Sequence, residues 1–159
     1  MRAPLRQSPY AEIQATFLVR TGGAFHSTLD VDRPSVRIAS VTGAAYDLWL
    51  ERNIRYAEIV RARSLDECLR VFEDQELDAL AGLRPRLLSD VQQVPGTRIL
   101  DGCFATVAQA IGTPKSNLVG VKVLQSVIDE IIRARLMESL INKYEVHGLS
   151  AVVPIAPRL

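Results

Sequence analysis

The chain has 159 residues, of which 48% are apolar and 23% charged, and its formal net charge is +1. That length and apolar share are enough for one domain with a real core and exclude a disordered chain. Near neutrality with dispersed charges excludes nucleic acid as an electrostatic partner.

Residues 1–11 carry two prolines and read as irregular. From Glu12 to Val19 the residues alternate, with Ile13, Ala15, Phe17 and Val19 on one face and Glu12, Gln14 and Thr16 on the other, which predicts a strand. A regular unit follows. Val36–Val41 is β-branched and predicts a strand; Gly43 turns the chain; Ala45–Ile54 predicts a helix whose Leu48 and Trp49 cover the sheet. Ala57–Val60 predicts a strand. Ser64 and Glu67 form a capping box for a helix bearing Leu65, Cys68, Leu69 and Phe72. Asp78–Leu83, Arg84–Val91 and Arg98–Leu100 predict strand, helix and strand. Short strands alternating with helices imply an α/β lobe, three layers with a mainly parallel sheet between helices. Phe104–Ile111 predicts another strand. Thr113 and Pro114 mark a helix start, and an apolar stripe runs from Leu118 through Val121, Leu124, Ile128, Ile131, Ile132, Leu136, Leu140 and Ile141 to Gly148.

The Gly43 turn lacks both the dinucleotide and the P-loop glycine patterns. Two readings stay open. The N–H groups of Ala44, Ala45 and Tyr46 can hold a carboxylate at the helix N-terminus, or the glycine only reverses the chain. Arg84 and Arg86 follow the third strand of the unit and either face the same edge or are solvated. His26 and His147 stand without companions at ligand spacing, so no metal is expected. Ser40 has no hydrolase elbow around it. Asp129 and Glu130 read as a solvated helix face. Cys68 and Cys103 are far apart, lack a C-x-x-C pairing and read as small buried hydrophobes. No cofactor is expected. No run reaches the ~18 apolar residues of a membrane span, and the N-terminus has basic residues but no apolar export region.

The stretches "DVDRPSVRIASVTGAAYDLWLERN", "LDALAGLRPRLL" and "GCFATVAQAIGTPKSN" resemble the extracellular solute-binding proteins of ABC transporters, in particular the amino-acid-type family 3. The resemblance covers roughly residues 9–148. It implies a type II periplasmic-binding fold, in which two α/β lobes joined by hinge strands trap a solute between them. On this reading, residues 1–33 hold the N-terminal segment and first hinge strand, 34–103 form the second lobe, and 104–159 form the return hinge and C-terminal helices. Most of the first lobe is missing, so a truncated product or a lobe with a new use is expected. The resemblance also implies that Gly43, Ala44, Ala45 and Tyr46 offer N–H groups to a ligand carboxylate. Many relatives have Ser or Thr where this chain has Ala44 and Ala45. Where they often place an acid for the ligand's amino group, this chain has Leu83, followed by Arg84. The implied function is non-covalent capture of a small polar solute, weak without a first lobe, and no catalysis. The alternatives are an effector-sensing or oligomeric module, or a dehydratase-like enzyme of the same fold. The expected partners are the solute, a transporter permease, and a second copy of the chain covering the C-terminal apolar stripe over ~2,000 Å² or more. The family is periplasmic; without an export signal the chain as given is expected to stay in the cytoplasm.

Overall fold

A short strand, β1 (Leu5–Arg6), lies where the sequence reads as irregular, and it pairs antiparallel with β8 (Gly112–Thr113). The computed structural model describes residues 5–6, 8–114 and 116–153; residues 1–4, Lys115 of the "GTPK" motif and the tail 154–159 lie outside it, as does residue 7. The chain divides into two compact units, one comprising Gln14–Val107 and the other Met1–Ile13 with Ala108–Leu159.

The larger unit is an α/β lobe. Its elements are most of β2 (Ala11–Arg20), β3 (Arg37–Val41), α1 (Ala45–Asn53), β4 (Glu58–Ala62), α2 (Leu65–Asp74), β5 (Ala79–Leu83), α3 (Arg84–Asp90), β6 (Thr97–Ile99) and the start of β7 (Ala105–Gln109). The strand order is β4-β3-β5-β2-β6, with β7 also pairing with β2. Strands β4, β3 and β5 run parallel, and β2 runs antiparallel to β5 and β6. The fold is therefore α/β, with a mainly parallel sheet between helices in this unit, and the C-terminal helices belong to the smaller unit.

Strand β2 corrects one expectation. Thr16, placed on the polar face by alternation, is fully buried and donates its hydroxyl to the Leu100 carbonyl at 3.2 Å. A central strand is covered on both faces, so alternation does not survive there. Phe17 and Val19 join Ile38, Tyr46 and Leu50 in the core on the α1 side, whereas Leu18 joins Ala39, Cys68, Leu69, Phe72 and Leu87 on the α2 and α3 side. Helix α2 begins as its sequence predicts: the Ser64 hydroxyl accepts from the Glu67 N–H at 3.2 Å. The return arm of the box lands one residue earlier, on the Arg63 N–H at 2.8 Å.

In the smaller unit, β9 (Leu149–Ala151) pairs with Ala11–Ile13 of β2. The helix start at Thr113 and Pro114 is corrected. Thr113 is held in β8 opposite Leu5, and α4 (Leu118–Arg133) is capped by Asn117, whose Oδ1 accepts from the Gly120 N–H at 2.8 Å. The long stripe is also two helices, because Arg135 enters the left-handed region (φ 51°) before α5 (Leu136–Lys143) begins. Ile128 is buried, whereas Leu118, Val119, Val123 and Val127 form an exposed apolar row on α4.

Candidate functional site

The C-terminal ends of β3, β4 and β5 share one edge of the sheet, and β2 enters beside them, with Ala15 opposite Leu83. This is the edge at which open α/β sheets bind ligands. The turn after β3 is anchored there by Thr42, whose N–H and hydroxyl both donate to the Ala62 carbonyl, at 2.9 and 3.1 Å. Gly43 has φ +74°, and nothing lies within 4 Å of where a Cβ would project. Glycine is needed here for its backbone conformation and not for space.

Four donors were expected in this turn, and two are already used. The Gly43 N–H donates to Asp47 Oδ2 at 3.0 Å, and the Ala44 N–H donates to the Val41 carbonyl at 3.1 Å. The N–H groups of Ala45 and Tyr46 have no acceptor among the described residues. Ala45 is exposed. The Tyr46 side chain is buried, and its hydroxyl has no partner among the described residues; burial pushes its pKa well above the ordinary phenol value. Asp47, almost wholly buried, also accepts from Arg61 Nε at 3.1 Å, so it is neutralised locally.

Leu83 ends β5 half-buried and brings no charge. Arg84 is half-buried and committed: Nε donates to Gln14 Oε1 at 2.8 Å, and Nη2 donates to the carbonyls of Leu100 and Gly102. All three acceptors are neutral, and among the described residues no acid forms an ion pair with Arg84. Arg86 differs, because it pairs with Asp90 at 2.7 Å and Asp66 at 2.8 Å. Nearby Cys68 is buried, and desolvation pushes its thiol up to about 12, which makes it a structural thiol. Two open N–H groups, a helix N-terminus and an unpaired cation suit a small anion. Among the described residues, no group of three or more His, Cys, Asp or Glu is placed to hold a metal ion.

The sequence reading missed a second feature of this lobe. A pocket of about 340 Å³ opens beside the second half of α1, lined among others by Phe17, Trp49 and Phe104. The Trp49 and Phe104 rings lie 5.0 Å apart, and Phe104 and Phe17 lie 4.5 Å apart. Trp49 and Leu48 were expected in the core. Trp49 is only half-buried and Leu48 is 41% exposed, while Tyr46, Asp47 and Leu50 face inward. Cys103, read as buried, is partly exposed and lines this pocket. Trp49→Ala is therefore expected to cost about 2 kcal/mol, below the 3–5 typical of a fully buried aromatic; urea unfolding measures it.

Two acids fix the chain around this pocket. Asp32 accepts from the N–H groups of Arg55, Tyr56 and Ala57 at 3.1, 2.8 and 3.0 Å. Desolvation raises its pKa, but those three bonds outweigh it and leave the value below the ordinary 3.8. Asp30 is held lower, to about 2, by the N–H groups of His26 and Ser27. Both values are depressed by folding, so both contributions are complete above the unfolded value of 3.8 and are lost as pH falls through the folded values. Stability followed by circular dichroism should therefore fall from about pH 4 toward pH 2, and less steeply in Asp32→Asn.

The strand order and flanking helices are those of a periplasmic-binding-protein-like α/β lobe. Comparison with solved structures bears on the same point. The chain is similar to an ancestral arginine-binding protein bound to arginine, with a TM-score of 0.72, 16% identity, and coverage of 87% of this chain and 63% of that one. It is similar to a binding component of an ABC transporter from Wolinella succinogenes complexed with lysine, with a TM-score of 0.73, 15% identity, and coverage of 87% and 61%. A third is an ancestral amino-acid-binding protein described as a precursor of cyclohexadienyl dehydratase, with a TM-score of 0.70, 15% identity, and coverage of 87% and 60%. The chain spans 60–63% of the length of these neighbours, and at such identities the likeness establishes the fold. No protein-family model matches the chain, and no curated protein matches it.

Proposed function

We propose that this chain is the ligand-binding lobe of a solute-binding protein of the amino-acid type (family 3) serving an ABC transport system, and that it captures a small carboxylate-bearing solute without covalent chemistry. One observation carries the reading: the N–H groups of Ala45 and Tyr46 have no acceptor among the described residues, at a sheet edge that also holds Arg84, whose acceptors there are all neutral. Leu83 supplies no acceptor for an α-amino group, so the reading favours carboxylates without one over ordinary amino acids. A single lobe leaves much of the solute hydrated, so affinity is in the millimolar range unless another chain completes the site. Binding without turnover fits the acids at this edge, since Asp47 and Asp90 are both engaged by arginines. A transporter permease is the downstream partner on this reading. A second copy is the proposed cover for the α4 row of Leu118, Val119, Val123 and Val127, of which Val119 is 75% exposed.

The experiment is an NMR titration of the whole chain with acetate, succinate, lysine and arginine. The amides of Ala45 and Tyr46 should shift saturably, with succinate ahead of lysine. Saturation with those two amides unmoved would overturn the site. Dimerisation is tested separately, because a monodisperse monomer in light scattering at micromolar concentration excludes it.

A further inference from the structure

We propose that the pocket beside the second half of α1 is a separate binding site for a small organic cation, such as an alkylammonium or quaternary ammonium group. Its volume, about 340 Å³, falls in the range of small-molecule sites. Trp49, the chain's single tryptophan, and Phe104 line it, each half-buried and stacked at a tilt against its neighbour. Aromatic faces attract cations through the ring quadrupole. Asp32 is the one charged residue among those lining the pocket. Three backbone donors hold its carboxylate ionised, yet they crowd onto Oδ1. Among the described residues Oδ2 accepts only the Arg55 N–H, shared with Oδ1, so it keeps lone-pair capacity for another donor.

This charge decides between guests. A neutral apolar molecule would desolvate the Asp32 carboxylate and give it no partner, which disfavours such a guest. A cation fills the same space and pairs with the carboxylate. The Arg55 side chain, which acts electrostatically on Asp32, belongs to an exposed residue and does not line the pocket. In the rest of the wall, Asn53 donates its side-chain amide to the Trp49 carbonyl at 2.7 Å, and Thr28 brings a hydroxyl-bearing side chain. From Ala45 to Asn53 helix α1 rises about 12 Å, so this site and the anion-binding turn occupy opposite ends of one helix. Either can fail without the other.

Trp49 makes the test direct. The whole chain is titrated at constant ionic strength with tetramethylammonium and choline, and with 3,3-dimethylbutan-1-ol as the neutral isostere of choline, while tryptophan emission is followed. Both cations should give a saturable change, and the alcohol should bind at least about tenfold more weakly. Asp32→Asn should weaken the cations by a similar factor. Because that change also loosens residues 55–57, Phe104→Leu is the second variant. It keeps apolar bulk and removes a ring face, so it should weaken the cations several-fold and leave the alcohol unchanged. Equal binding of cation and alcohol, or no saturable change up to about 100 mM, would overturn the proposal.

Discussion

Phe72→Ala is expected to destabilise the chain by about 3–5 kcal/mol, read as a lower urea midpoint at unchanged slope. Phe72 is fully buried and sits at the centre of the core that joins α2 to the sheet, among Leu18, Ala39, Cys68, Leu69 and Leu77. Its ring also lies 5.0 Å from the Arg20 guanidinium carbon, and Arg20 donates to its carbonyl at 3.3 Å. Truncation removes the transfer energy of the ring and leaves a cavity that a close-packed interior refills poorly. A domain of this size has about 5–15 kcal/mol in all, so the loss is a large fraction. Phe72→Leu, which keeps most of the volume, should cost less than about 1.5 kcal/mol. A loss below about 1 kcal/mol in the alanine variant would show that α2 is not held as described.

Asp47→Ala is expected to cost about 2–3 kcal/mol and to loosen the turn it closes. The Asp47 carboxylate is almost wholly buried and satisfies two groups at once, the Gly43 N–H and the Arg61 guanidinium. Its removal strands both. The cost falls below that of breaking a fully buried pair because Arg61 is about a third exposed (35%) and recovers water. Asp47→Asn keeps an acceptor for the turn and should cost less. It also removes a negative charge from the first turn of α1, so acetate binding at Ala45 and Tyr46 should strengthen several-fold. Weaker acetate binding in a folded Asp47→Asn chain would show that the turn needs this carboxylate more than it is opposed by it.

Local signals in the sequence determined the order of the elements from β3 to β6. The β-branched run before Gly43, the helical spacing after it and the Ser64 cap each act within a few residues, and each is found in the structure. Gly43 was legible for the same reason, since its positive φ is a property of its own backbone. What depended on distant partners was not legible. Leu48 and Trp49 have helical spacing, but the position of the sheet turned Tyr46, Asp47 and Leu50 inward. Thr113 and Pro114 carry a helix-start signal, which pairing with β1 overrode, moving the cap to Asn117. The candidate site at the sheet edge depends on contacts far apart in the chain: Arg61 reaches Asp47 across 14 positions, and Arg84 reaches Gln14 across 70. The pocket brings Phe17 together with Phe104. Dihedral preferences and caps are short-range and can be read along the chain, whereas charge compensation, burial of a chosen helix face and cavity shape arise only when separate segments pack together.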